Sequence, residues 1–325
     1  MASWMFYAMR PEVDKVESNG SSEIISYQQL KTKPTLFKSF TGVTLSAFAE
    51  LLPAFRQAYQ DDLERREQQR SMPRQRGEGS KGAIPRLEDK LVFILCYFRL
   101  YPVQVLQGYL FGMGQPQANE WIHRLTPILN QALGYEKQLP ARQSRDIAQV
   151  LAACPGLEFI IDGAERPIRR PKDPGRQRQN YSGKKKRHTV KNNVVTNKQT
   201  RKIKGLSRTV EGKKHDKKLA DEQDLDFPPN SKLWKDTGFQ GYEPANTQTF
   251  QPKKKPKGRD LTPEEKAQNA AISSERIGVE HSIGGVKVFR IVQTVFRNIK
   301  QDFDDLVMET ACGLHNLRVD HPLTV

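Results

Sequence analysis

Cysteine is scarce: Cys96, Cys154 and Cys312 are an odd number, widely spaced along 325 residues. That excludes a disulfide framework and argues against a structural zinc site. Each lies among apolar neighbours, so buried free thiols in a reducing compartment are expected. Long apolar runs are missing too. The longest, Leu91–Phe98, has eight residues between Lys90 and Arg99, where a bilayer span needs roughly 20. The first ten residues lack a basic stretch ahead of an apolar one, so no secretory leader is expected. The expectation is a cytoplasmic, nucleoid-associated protein with no membrane partner. Acids are deficient, but only in one stretch. Gly163–Lys218 holds 20 Lys+Arg against 4 Asp+Glu, while the other 269 residues hold 33 of each, so one segment carries the whole +16. A localised excess points to a polyanion contact. What is plentiful is aromatic: 15 Phe, 9 Tyr and 3 Trp argue against full-length disorder.

Residues 1–35 show no periodicity and read as a poorly ordered tail. Thr44–Tyr59 sets Leu45, Phe48, Leu51, Leu52 and Phe55 at helical spacing. Gln68–Gly82, rich in Arg, Gln, Gly and Ser, reads as a flexible linker. Leu87–Leu100 is an amphipathic-to-buried helix ended by Tyr101-Pro102, because proline disfavours helix at the residue before it. A short helix over Val103–Phe111, a Gly112-Met113-Gly114 turn and a helix over Gln115–Leu129 follow. Helix, glycine turn, helix is the pattern of a DNA-binding helix-turn-helix (87–129) inside a helical region (36–135). Trp121, Ile122 and Leu125 pack inward, leaving Gln115, Gln117 and Asn119, together with Arg124, for DNA. An ordinary three-helix unit with a polar outer face has the same pattern.

Residues 136–156 read as a second linker, after which strands precede helices, the order of an α/β domain. Gly156–Gly163 is a short apolar strand ending at Asp162. Arg187–Val195 and Arg201–Val210 make a hairpin turning near Asn197, and Leu233–Gly238 is a strand ending at Asp236. Helices follow over about 263–290 and 302–317. On the first, Arg276, Glu280 and Lys287 are four and seven residues apart, within about 40° and 20° of one another. An acid flanked by cations on one stripe can hold a metal while the cations grip phosphate. Asp162, Asp236 and Glu280 are all-oxygen donors from distant segments, which suits Mg²⁺ better than Zn²⁺. Phosphodiester cleavage by two such ions is the chemistry that uses them.

These blocks resemble bacterial insertion-sequence transposases of the insertion-sequence-five family, whose DDE superfamily endonuclease domain is related to the Harbinger group. The resemblance runs from about Phe40 to Leu317. It rests on Phe40-Thr-Gly-Val-Thr-Leu, Leu87-Glu-Asp-Lys-Leu, Tyr101-Pro-Val-Gln and Trp121-Ile-His-Arg-Leu. It continues through Ile161-Asp-Gly163, Arg166-Pro-Ile and Tyr181-Ser-Gly-Lys-Lys-Lys-Arg-His188, then Lys235-Asp-Thr-Gly-Phe-Gln-Gly241, Lys253-Lys-Lys-Pro-Lys-Gly258, Leu261-Thr-Pro-Glu-Glu and Arg276-x3-Glu280-x6-Lys287. It implies a ribonuclease-H-like catalytic domain (157–320) after an all-α helix-turn-helix domain. It also implies Asp162, Asp236 and Glu280 as the catalytic triad on two Mg²⁺ ions, with Mn²⁺ able to substitute. Implied too are binding of terminal inverted repeats, strand cleavage and joining of the 3′-hydroxyl to target DNA, by a homodimer on double-stranded DNA. Lys184, Lys185, Lys186 and Arg187, with Arg276 and Lys287, would hold the backbone. Two positions depart from the family pattern: Ser273 stands where a Tyr is usual, and Lys235-Asp-Thr-Gly where Ala-Asp-Lys-Gly is more common. The alternative is a non-catalytic DNA-binding regulator derived from such an element; retention of all three carboxylates disfavours it.

Overall fold

The computed structural model describes residues 25–69, 84–256 and 258–322. The linker expected over Gln68–Gly82 lies outside these from residue 70 on, as do residues 1–24 of the expected tail. The rest of that tail is folded, and its ordered part corrects the expectation. Ile25 and Leu30 are buried, α1 (Tyr27–Leu30) opens on a Ser26 capping box, and α2 is Pro34–Thr41.

Thr44 caps α3 (Leu45–Gln68) by accepting from the Ala47 N–H, and Ala47, Phe48, Leu51, Ala54, Phe55 and Ala58 form its buried stripe. α4 (Leu87–Leu100) is buried continuously from Asp89 to Phe98. Tyr101 stops it in the left-handed region, φ 48°, because Pro102 bars the helical conformation there. α5 (Gln104–Leu110), the turn at Gly112 (φ 65°) and α6 (Gln115–Tyr135) complete the expected module, α6 running a turn and a half past its predicted end.

The linker expected over 136–156 is the second correction. It contains α7 (Ser144–Ala152), whose Ile147 and Leu151 are fully buried. Next come β1 (Glu158–Pro167), α8 (Pro174–Asn180), β2 (Tyr181–Ser182), β3 (Arg187–Asn197), β4 (Ile203–Leu206), β5 (Val210–Glu211) and α9 (Asp216–Gln223). β6 (Ser231–Lys235), β7 (Thr247–Phe250), α10 (Pro263–Lys287), α11 (Arg290–Gln293) and α12 (Phe303–Asp320) finish the chain. The sheet order is β2-β3-β1-β6-β7, with β4 and β5 also paired to β3. β1 runs antiparallel to β3 and parallel to β6, and β6 parallel to β7. The expected hairpin is present as β3 and β4.

Side chains alternate across β1. Phe159 and Ile161 join Ile147, Leu151, Ala220 and Leu233 on the α7–α9 face. Ile160 packs with Trp234 and Ile283 of α10 on the other. Helices therefore cover both faces of a mixed sheet. The larger core runs without a break from Phe37 and Phe48 through α4 and α6 to α12 and on to Ala164, Val194 and Leu206 of the sheet. α12 lies between the helical region and the sheet, with Val307, Met308, Ala311, Cys312, Leu314 and Leu317 at most 2% exposed. Its Asn316 accepts from the Ile203 N–H (2.8 Å) and donates to the Gln138 carbonyl (2.7 Å), tying the two halves together. No helix among the described residues is long and apolar enough to cross a membrane.

Candidate active site and nucleic-acid interface

β1 continues to Pro167, so Asp162 lies within it rather than at its end. What ends there is the neighbour. The parallel ladder of β1 and β6 stops at Ile161↔Lys235, so the next residue of each strand, Asp162 and Asp236, flank the point where β6 leaves the sheet. Asp236 turns the chain: its Oδ1 accepts from the Gly238 N–H (2.8 Å), starting a short 3₁₀ turn over Thr237–Phe239. The Asp162 Oδ1 accepts from the Gly163 N–H (2.8 Å). Burial, then the charge of Asp236, push the Asp162 carboxyl up to about 6; Arg276 opposes this and Asp216 adds to it. The Arg276 guanidinium stands 4.0 Å from Asp162 Oδ1.

Asp216, among the lysines at the start of α9, is a third carboxylate beside the two aspartates. It is seated between the two glycines that follow the aspartates. A methyl group placed on Gly163 would lie 3.0 Å from Asp216 Oδ1, and one on Gly238 would lie 2.8 Å from Asp216 Oδ2. The only sequence signal was Asp followed closely by Gly, twice.

Glu280 is not brought to the two aspartates. It lies exposed on α10, one turn beyond Arg276. Among the described residues no three His, Cys, Asp or Glu side chains are grouped as a metal cage. Asp162 and Asp236 nevertheless fit a hard divalent cation: they supply carboxylate oxygens, burial and then their crowded negative charge raise the Asp162 pKa, and a cation would relieve the crowding.

Lys235, at the departure from the family pattern, is fully buried at the end of β6. Its ammonium donates to Glu243 Oε1 at 2.6 Å and to the Tyr242 carbonyl. Ser273, the other departure, is exposed on α10.

On the helix-turn-helix, Ile122 and Leu125 are fully buried as expected, with Trp121 half-buried. Gln117 is exposed. Gln115 and Asn119 are held by α5: Gln115 donates to Gln104 Oε1 (2.6 Å), and Gln104 donates to Asn119 Oδ1 (2.8 Å). Arg124, expected at the DNA, is engaged within the helical region. Its Nε donates to Asp62 of α3 at 2.9 Å, and its guanidinium lies 5.0 Å from the Tyr59 ring centre and 5.3 Å from that of Trp121. Burial pushes the Asp62 carboxyl up, but bonds from Arg65, Arg124 and Arg66 outweigh it and hold it below the usual carboxylate range.

The basic segment divides in two. Arg166 is buried, donating to Asn192 Oδ1 (2.9 Å), Thr209 Oγ1 (3.0 Å) and the Asp304 carbonyl (3.0 Å). Lys191, Lys198, Lys202, Lys214 and Lys217 are paired with Asp216, Glu158, Asp320, Glu222 and Asp221. By contrast Arg169, Arg170 and Lys172 ahead of α8, Arg176 and Arg178 on it, and Lys184–Arg187 at the β2–β3 turn are exposed. The tip stands away from the aspartates. Val194 faces Asp162 across the ladder, and Arg187, seven residues earlier, is roughly 23 Å along β3 at about 3.3 Å per residue. Lys287 rests beside Ala164, Ile283 and Met308 in a small apolar cavity. Of the helix cations, then, Arg276 reaches an aspartate and Lys287 does not.

Residues 161–316 match the family model described as "DDE superfamily endonuclease", a span holding Asp162, Asp236 and Glu280. Residues 86–134 match "Helix-turn-helix of DDE superfamily endonuclease", covering α4, α5 and nearly all of α6. A protein of Microchaete diplosiphon named "Probable transposase for insertion sequence element IS702" is 29% identical over 239 residues, 72% of this chain and 82% of its own length. No solved structure matches the chain.

Proposed function

We propose that the chain is a DDE transposase of a bacterial insertion sequence, a metal-dependent nuclease with a helix-turn-helix that binds DNA, and that its residues divide the work as follows. It binds the terminal inverted repeats of its element, cuts there, and joins the freed 3′-hydroxyl to target DNA. The observation that carries this reading is the placing of Asp162 and Asp236 on adjacent parallel strands at the point where those strands part. Asp162, Asp236 and Glu280 would hold two Mg²⁺ ions, replaceable by Mn²⁺, which supply charge stabilisation at the attacking and leaving oxygens of an in-line displacement.

Arg276 stands against Asp162 in the DNA-free chain, where it tempers the local negative charge. With a phosphate in the site it exchanges that partner for the DNA, and Glu280, one turn along α10, completes the set. Gln117 meets a base edge from the N-terminal turn of α6, while Gln104 fixes Gln115 and Asn119 at the groove wall. The exposed cations of α8 and the β2–β3 turn hold backbone. Joining two element ends requires two active sites, so the working form is a homodimer on DNA.

The test is nicking of a plasmid carrying the gene with its native flanking DNA, in Mg²⁺ or Mn²⁺. Wild type cuts and Asp236→Asn does not. Undiminished cutting by Asp236→Asn would remove the assignment. Binding without nicking in either metal favours the non-catalytic regulator instead.

A further inference from the structure

We propose that Asp216 is a positioning residue of the active site: clamped by Lys191 and Asn193, it wedges the Asp236–Gly238 turn against β1 and so sets the gap between Asp162 and Asp236. The proposal rests on the reading of those two aspartates given above.

Asp216 opens α9, where a carboxylate suits the positive end of the helix. Two side chains of β3 grip it. Lys191, itself 8% exposed, donates to Asp216 Oδ1 at 2.9 Å. Asn193, fully buried, donates through Nδ2 to the Asp216 carbonyl at 3.0 Å. The two are on one face of the strand by its two-residue period, so side chain and main chain of Asp216 are both fixed to the sheet. Asn193 pairs with Gly163 in the ladder, which places this grip one residue from Asp162.

The wedge is the carboxylate itself. It fills the space where side chains of residues 163 and 238 would stand, within 3.0 Å and 2.8 Å of their missing methyl groups. The position at Gly238 is also 2.9 Å from Asp236 Oδ1, the oxygen that holds the turn. Neither glycine has the positive φ for which glycine is usually required. Their need for glycine is steric, and Asp216 is the cause. By the alternation along β1, Gly163 faces the α9 side and Asp162 the α10 side. Asp216 thus supports the site from behind, and its role is placement.

The test uses the full chain and three measurements: plasmid nicking in Mg²⁺, gel-shift binding to the same DNA, and melting temperature. Asp216→Ala is expected to bind DNA as wild type does, yet nick about 10- to 100-fold more slowly, the scale of a roughly 1 Å misplacement. Half-saturating Mg²⁺ should rise with it. Asp216→Asn keeps the volume and an oxygen for Lys191, and is expected to restore most of the rate. Gly238→Ala should slow nicking in wild type and add little in Asp216→Ala, since both act on one space. Lys191→Met, which keeps the protein's buried volume, should slow nicking if Asp216→Ala does not fold. Full activity in Asp216→Ala, or in Lys191→Met where that variant stands in, overturns the proposal. Asp216→Asn as inactive as Asp216→Ala also overturns it, because charge rather than placement would then be the requirement. Asp236→Asn is the separate control: activity there defeats the reading of the aspartates and not the wedge.

Discussion

Asp162 is held in an environment that disfavours its ionised form. Its carboxyl is raised to about 6 by burial and by Asp236, with Asp216 adding to it. In metal-free buffer at neutral pH this unfavourable ionisation costs on the order of 1–3 kcal/mol of stability. Asp162→Asn is therefore expected to melt several degrees higher than wild type while losing nicking altogether. Added Mg²⁺ or Mn²⁺ should raise the wild-type melting temperature and leave the variant unmoved. Equal metal shifts in both would contradict this, and differential scanning fluorimetry checks it. His315 gives a pH dependence of opposite slope. Burial, first of all, lowers it to about 4, and its Nε2 lies 3.1 Å from the Arg201 carbonyl. The unfolded histidine takes up its proton nearer 6.5. Between about 6.5 and 4 the unfolded chain thus binds more protons, and stability falls as pH falls. Measured in Asp162→Asn, where the carboxyl of opposite sign is removed, the melting temperature should decline steadily across that window. Replacing Glu243 by Ala leaves the buried Lys235 ammonium with the Tyr242 carbonyl as its remaining bond, and is expected to destabilise by about 1–3 kcal/mol in a denaturant titration.

Among the elements, the joint between α3 and α6 has a charged centre. Asp62 is 4% exposed and takes bonds from Arg65 (2.6 Å), Arg66 (2.9 Å) and Arg124 (2.9 Å). Asp62→Ala strands Arg124 and is expected to cost roughly 2–4 kcal/mol. Arg124→Ala should lower stability without changing which DNA sequence is bound, whereas Gln117→Ala should relax base preference with stability intact. Competition gel shifts and urea melts separate the two. This joint also shows why only part of the site was legible in the sequence. The apolar runs Leu91–Phe98 and Phe159–Ile161 declare their elements locally. The stop at Tyr101-Pro102 follows from one steric rule. Arg124 could not be assigned that way, since Asp62 is 62 residues distant in the chain and nothing in its own helix announces the pair. Asp216 was equally hidden: among lysines it looks like any solvated acid, and only the fold sets it beside Gly163 and Gly238. Ile147 and Leu151 carry no legible signal in the sequence, because a single short helix gives too few turns to establish a period.

At the scale of the whole molecule, not all of the +16 surplus is a free clamp. Part of its segment closes internal ion pairs, and nine of its exposed cations gather around α8 and the β2–β3 turn. Replacing Lys184, Lys185, Lys186 and Arg187 together by Ala is expected to reduce the slope of log affinity against log salt by about 3–4, near 0.9 per phosphate contact. Nicking at saturating protein should survive, because the tip is roughly 23 Å from Asp162 along the strand. An unchanged slope would move the backbone contact elsewhere. The continuous core between the helical region and the sheet bears on how the protein comes into being. α12 follows every other described element in the chain, yet it fills the space between the two halves. While the ribosome is still making the preceding elements, both apolar faces that α12 covers stay open, and neither half has its finished core. The finished core thus forms only after α12 has been made. Messages broken ahead of α12 should yield insoluble fragments rather than a surviving DNA-binding piece, which leaves a damaged gene copy little means of making a repressor of its intact relatives.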